Sequence, residues 1–239
     1  SSPALFLMWL CFLALAAAQI NPQALYERGQ HNAALSQQAF EKLLKTAPES
    51  AYVLALLGEV KAQDRQYTAA LYAFTEAAKR MPNLRGVRLK SAEIYDSLSK
   101  PAEAAAARAA EQKLGPLNCA SEKLACDFNA GRFEEVVKTA RPKNNPEGLY
   151  WLSRAYNELA EQSFAELGKL PESPELHRVK AQILHDQGQF REAVKEWRTV
   201  LKFSPADLDA RHQLATDLFL SHDSKTTLPE IQQFLKAEP

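Results

Sequence analysis

The stretch AYVLALLGEVKAQDRQYTAALYAFTEAAKRMP, Ala51 to Pro82, decides the fold of this 239-residue chain. Leu54, Leu57 and Val60 recur on one helical stripe. Asp64 to Gln66 breaks the pattern as a turn, and Ala70, Phe74 and Ala77 face back across it. Gly58 and Ala70 are small enough for the two helices to approach closely, and Phe74 fills the space beside them. Pro82 then stops the second helix, since it has no N–H to continue the hydrogen-bond ladder. The stretch is a helical hairpin.

Working outward, Pro174 to Pro205 carries the same order at the same offsets: His177, Lys180-Ala181, Phe190, Ala193, Trp197, Val200 and Pro205. Pro48, Pro82 and Pro116 lie 34 residues apart, as do Pro171, Pro205 and Pro239. A fixed period of this length marks stacked hairpins rather than a single globular core. Gly-His punctuation suggests a first unit from Pro22 to Pro48, with Gly29-Gln30-His31 as its turn and Phe40, Leu43 and Leu44 on the second helix. The third unit, Arg85 to Pro116, keeps Ala92, Tyr95 and Ala104. Its second helix is nearly all alanine, with Arg108 and Glu111 where an aromatic and a small residue belong, so loose packing is expected there.

The period breaks between Leu117 and Leu170. Gly131-Arg132-Phe133 sits at a turn position, but Pro142 cuts the following helix short. Leu149, Leu152, Tyr156 and Leu159 share a face, and the lack of a turn residue before Gly168 admits one long helix in place of a hairpin. Pro142, Asn144, Asn145 and Pro146 form a loop-like cluster where a joint belongs. The division expected is residues 1–18, a repeat block over 19–142 and a second over 143–239. The last unit has Leu214-Ala215 and Leu218, a weaker turn at His222-Asp223-Ser224, and no polar capping helix. That pattern reads as truncation after Pro239.

Composition limits the partners. Lys+Arg and Asp+Glu balance at 29 each, so there is no basic surplus for nucleic acid or an anionic membrane. Ala4 to Ala18 is free of charge and ends in Ala16-Ala17-Ala18, the pattern of a secretory signal peptide. The other reading is an uncleaved membrane anchor over 4–18, although the run is shorter than the roughly 20 residues a span needs. The basic segment expected upstream is absent and the chain begins at Ser1, so the true start is expected to lie before it. Leu10 before Cys11 argues against lipidation. A periplasmic or secreted location follows if the segment is cleaved.

With the small-aromatic-proline order in place, the chain resembles a tetratricopeptide-repeat protein from about Asn21 to Pro239. The resemblance rests on Leu57-Gly58 with Ala70, Phe74, Ala77 and Pro82, and on Ala181 with Gly188, Phe190, Ala193 and Pro205. It implies an all-α, right-handed superhelical solenoid of antiparallel helix pairs of bacterial type. It also implies a non-catalytic scaffold whose concave groove binds proteins or peptides, without a cofactor. First helices would line that groove with Tyr52, Ala55, Glu59 and Gln63, then Leu89, Glu93 and Asp96. Further on they would present Arg178, Gln182, His185 and Asp186, then His212, Thr216 and Phe219. Each is otherwise an ordinary solvated residue. Acids at Glu59 and Glu93, and Asp209 in the repeat after the partial match of Arg178 and Gln182, argue against the carboxylate clamp some members carry. On this reading Arg178→Ala and His185→Ala weaken binding and leave stability intact.

Sites for chemistry are not apparent. His177 and His185 are eight apart, too far to chelate one ion, and no HExxH spacing occurs. No nucleophile elbow or glycine-rich phosphate loop occurs, and Glu134, Glu135, Glu158 and Glu161 read as solvated. Trp151 and Trp197 fall at apolar positions. Cys119 and Cys126 would lie roughly 10 Å apart on a single helix, beyond the reach of a disulfide. They are expected to be free, a bridge being possible where the helix starts after Cys119. The competing function is the repeat arm of a larger enzyme, a glycosyltransferase or protease, with its catalytic part beyond Pro239.

Overall fold

The computed structural model describes residues 21–221, so the expected signal segment and the turn at His222 lie outside the described residues. The described residues are all-α. The helices run α1 (Pro22–Thr46), α2 (Ala51–Gln63), α3 (Tyr67–Arg80), α4 (Val87–Ser97), α5 (Pro101–Gln112) and α6 (Lys123–Asn129). They continue with α7 (Phe133–Ala140), α8 (Pro146–Leu167), α9 (Pro174–Asp186), α10 (Phe190–Phe203) and α11 (Leu208–Leu220). Antiparallel pairing of α2 with α3, α4 with α5, α6 with α7 and α9 with α10 gives the hairpin-repeat architecture read from the sequence. Among these residues no helix is long and apolar enough to cross a membrane.

One turn design serves all four hairpins. Arg65, Ser99, Gly131 and Gly188 each adopt a left-handed conformation, with φ of 58°, 58°, 70° and 71°. The next residue's N–H then reaches back to the helix: Gln66 to Lys61, Lys100 to Tyr95, Arg132 to Asp127 and Gln189 to Leu184, all at 2.8–2.9 Å. This closure satisfies carbonyls the helix end leaves open. Glycine meets the backbone demand in two turns only, so the others are harder to read.

The prolines have a second role. Two residues beyond Pro48, Pro171 and Pro205 stand Ser50, Ser173 and Asp207. Their side chains accept the N–H of Val53, Leu176 and Ala210 at 3.3, 3.1 and 3.0 Å, capping α2, α9 and α11. Proline ends one helix and the cap starts the next.

Close approach within the second hairpin is as expected. A Cβ on Gly58 would lie 2.6 Å from the Phe74 ring, which is buried. The buried stripe of α2 differs from the expected one. Val53, Leu56, Ala51, Ala55 and Gly58 are buried, Leu54 and Leu57 are half-buried and Val60 is 41% exposed. The reason is that α2 is covered on two sides, by α3 and by α8, so its buried surface is wider than one stripe and centred elsewhere.

The first unit is corrected as well. Gly29-Gln30-His31 is not a turn: α1 runs unbroken through it. Gly29 is small because Phe164 rests on it, a Cβ there falling 2.5 Å from the ring. The two glycines therefore predict different outcomes. Gly58→Ala meets a ring packed on all sides and is expected to cost about 1–3 kcal/mol. Gly29→Ala meets a ring that is 37% exposed and can swing away. The helix-propensity gain of roughly 1 kcal/mol offsets much of its strain. Urea denaturation of both variants checks this, and equal losses would contradict it.

In the third unit Ala104 is the buried residue of α5, and Arg108 turns outward to pair with Asp96. Small side chains leave a cleft of about 520 Å³ lined by residues that include Phe74, Tyr95, Ala106 and Ala107. The hairpin α6–α7 turns at Gly131 and ends before Pro142, and α8 is the single long helix the sequence admitted. Cys119 and Cys126 are not free but form a disulfide, with Cα atoms 5.6 Å apart. The bridge closes because α6 begins at Lys123. Cys119 sits on the preceding turn, where the Asn118 carbonyl accepts N–H bonds from Ser121 and Glu122.

The chain forms two compact units. One comprises residues 30–161. The other draws on the flanking segments, of which 21–29 and 162–221 are described. The loop holding Pro142 to Asn145 joins α7 to α8 inside the first of these. In the second unit Leu25 and Tyr26 pack with Leu167, Leu176 and Val179, while Ala181, Ala193, Trp197, Val200 and Ala210 form a further cluster. Arg28 donates to Ser163 at 3.0 Å and pairs with Glu166 at 2.7 Å.

Candidate functional site

The unit 30–161 is organised around α8. Every residue from Leu149 to Tyr156 is buried, a helix apolar nearly all round and therefore covered on all sides. Its neighbours come from distant parts of the sequence. Ser36 of α1 donates to the Ser153 carbonyl at 2.7 Å. Tyr52 of α2 packs on Tyr150 with ring centroids 5.0 Å apart, and Phe128 of α6 packs on Trp151 at 5.3 Å. Arg141, just beyond α7, donates to the Tyr156 hydroxyl at 2.6 Å.

Arg154 is the charged residue of this run. Only 9% exposed, it pairs through Nε with Glu59 at 3.0 Å. Its guanidinium lies over the Phe128 ring at 4.3 Å, with Trp151 at 5.3 Å and Tyr150 at 5.4 Å. Aromatic faces and one carboxylate together replace the water this cation has lost. One turn on, burial pushes the Glu158 carboxyl up, and Glu161 adds to the shift.

Where α8 leaves this crowded stretch, a cleft of about 200 Å³ opens between α1, α2 and α8. Phe40, Leu56 and Val60 form its apolar wall, Gln37, Gln63 and Asn157 its amide rim, and Glu59 with Arg154 its charged floor. Gln37 donates its amide N–H to Glu41 at 2.8 Å, and Asn157 donates to Glu161 at 2.9 Å. Each amide oxygen is thereby left as an acceptor. An apolar wall with a few convergent polar groups is the general form of a binding cleft.

No family model and no curated sequence matches this chain. Solved structures do. YrrB, described as a TPR protein with an unusual peptide-binding site, is 18% identical over 84% of this chain and 92% of its own, with a TM-score of 0.30. A tetratricopeptide repeat protein from Parabacteroides merdae is 15% identical over 90% and 79%, with a TM-score of 0.29. The APC/C hetero-tetramer Cut9-Hcn1 is 11% identical over 91% and 45%, with a TM-score of 0.33.

The residues expected to line a groove fall into three situations. Tyr52 and Glu59 lie against the chain's own α8, and Ala55 has no exposure at all. Gln63 is exposed on the cleft. Leu89, Glu93 and Asp96 are exposed on α4, Glu93 pairing with Lys90 at 3.0 Å and Asp96 with Arg108. In the other unit Arg178 pairs with Asp207 and, at 2.9 Å, with Asp209, while Gln182 donates to Asp186 at 2.9 Å. His212 is exposed, Thr216 half-buried, and Phe219 exposed to 68%.

His185 is embedded in the packing. Its Nδ1 lies 2.5 Å from Asp217, which is fully buried and also accepts the Trp197 indole N–H at 2.8 Å. The expectation that His185→Ala leaves stability intact is therefore corrected, because removing the ring strips a buried carboxylate of a partner. His177 contacts Glu196 and Glu172 at 2.6 and 2.9 Å. Trp151 and Trp197 are buried, as their positions suggested. Arg154, Gln37 and Asn157 carry no repeat signal and were not expected at the site.

Burial pushes the Tyr150 hydroxyl up to about 12, from an ordinary value near 10. The unfolded chain thus ionises this group first, and stability falls as pH rises from about 10 towards 12. At pH 11 the loss from Tyr150 is on the order of 1 kcal/mol. Chemical denaturation at pH 9 and 11 is expected to show a smaller decline in Tyr150→Phe than in the parent chain.

Proposed function

We propose that this chain is a non-catalytic scaffold that binds a peptide segment of a partner protein in the cleft between α1, α2 and α8, after export to the cell envelope. The cleft's composition carries the reading. Side-chain amides at Gln37, Gln63 and Asn157 can hydrogen-bond a peptide backbone whatever its sequence, and Val60, 41% exposed, offers an apolar contact beside them. Two supports are independent of the cleft. A disulfide at Cys119–Cys126 suits an oxidising compartment, and Ala4 to Ala18 reads as a secretory signal. In the other unit, half-buried Gln182 with exposed His212 and Phe219 forms a separate proposed contact surface.

Selection of random heptapeptides displayed on phage against the chain is expected to yield binders lost on Val60→Glu and kept on Phe219→Ala. Loss only on Phe219→Ala would move the site to the other unit, and recovery of no binders would reject the peptide reading. N-terminal sequencing of the exported protein is expected to give Gln19.

A further inference from the structure

The cleft between α1, α2 and α8 is rimmed by amides, two of which are bonded to carboxylates. Arg154 is the cation among its lining residues, and that guanidinium is buried, covered by three rings and paired with Glu59 at 3.0 Å. Its charge is spent within the protein. Gln37 and Asn157 each give one of their two amide N–H groups to a carboxylate, Glu41 at 2.8 Å and Glu161 at 2.9 Å. The amide oxygens of Gln37 and Asn157 remain as acceptors, and the carboxylates of Glu41 and Glu161 stand one helical turn behind them on α1 and α8. Further along α8, burial and the nearby Glu161 and Glu59 raise the Glu158 carboxyl, opposed by Arg154 and by Lys90 of α4. Negative charge is in local surplus here.

The apolar side of the cleft sets the shape of what enters. Phe40, Leu56 and Val60 line a wall without polar atoms in their side chains. A volume of about 200 Å³ is below the roughly 300–1,000 Å³ of small-molecule sites and suits a single long side chain. A side chain that is aliphatic along its stem and donor-rich at its tip matches both halves of the cleft.

Resting on the peptide-binding reading, we propose that this cleft recognises an arginine or lysine side chain of the bound segment. The stem lies on Phe40 and Val60, and the cationic tip is held by the amide oxygens of Gln37 and Asn157 under the field of Glu41 and Glu161. The partner is a peptide carrying a basic residue flanked by apolar ones.

The test uses four fluorescein-labelled peptides, Gly-Leu-Ala-Arg-Ala-Leu-Gly and its versions with lysine, norleucine or glutamate at the central position. Fluorescence anisotropy with the whole chain is expected to show the arginine and lysine forms binding about tenfold tighter than the norleucine form, with that margin shrinking between 50 mM and 0.5 M salt. Glu41 and Glu161 are exposed, so Glu41→Lys with Glu161→Lys should keep the thermal midpoint. That double variant is expected to weaken the arginine form at least about fivefold more than the norleucine form. Equal binding of norleucine and arginine forms, or no effect of the double variant, overturns the inference. In that case phage binders still dependent on Val60 would leave the peptide-binding reading standing. Absence of binding by every peptide, with no phage binders, removes both.

Discussion

Arg154→Ala is expected to lower the unfolding free energy by about 3–5 kcal/mol. The substitution removes the guanidinium from between the rings of Phe128, Tyr150 and Trp151 and leaves Glu59 facing the space alone. Both the lost packing and the abandoned carboxylate act in the same direction. A loss of this size is a large part of the 5–15 kcal/mol that holds a typical domain together, so folding of the unit 30–161 is at stake. The charge and volume contributions separate in a second variant. Arg154→Met with Glu59→Leu fills the site with apolar atoms and strands no charge, and it should recover most of the loss. Urea denaturation measures both. A loss below 1 kcal/mol for the alanine variant would mean that the guanidinium is effectively solvated.

Asp217→Ala should cost about 2–4 kcal/mol. The carboxylate has no exposure and takes two hydrogen bonds, from the Trp197 indole at 2.8 Å and the His185 ring at 2.5 Å. Truncation orphans a buried N–H and opens a small void among α9, α10 and α11. Asp217→Asn keeps an acceptor for Trp197 and is expected to lose about half as much. His185→Ala should fall between the asparagine variant and no effect, since the indole bond survives it. Denaturation followed by tryptophan fluorescence orders the three variants, and a neutral Asp217→Ala would show that the indole finds another partner.

How far the sequence disclosed this structure depended on whether a residue acts within its own hairpin. Gly58 with Phe74, Ala181 with Trp197, and the turn at Gly188 are local matters, and periodicity exposed them. Gly29 looked like a turn because glycine and histidine stood where the period wanted one. Its true partner, Phe164, lies 135 residues away, and no local pattern carries that information. Cys119 failed for a similar reason, since the start of α6 at Lys123 lacks a side-chain cap that would have announced it. The candidate cleft was half legible. Glu59 and Gln63 came from the repeat frame, but Arg154 and Asn157 sit on a helix outside it. One signal was present: Leu149-Tyr150-Trp151-Leu152 followed by Ala155-Tyr156 is too apolar for a helix with one wet side.

The position of α8 also fixes a number. In an open array each hairpin touches its neighbours alone, so units can be gained or lost by duplication while the remainder stands. Here Ser36 meets Ser153 and Glu59 meets Arg154 across the ends of the array. One hairpin more or fewer between α2 and α8 would pull those partners out of reach. Insertion of a 34-residue unit after Pro82 or Pro116 is thus expected to break both contacts. The count of hairpins between α2 and α8 is thereby set by contacts rather than left open.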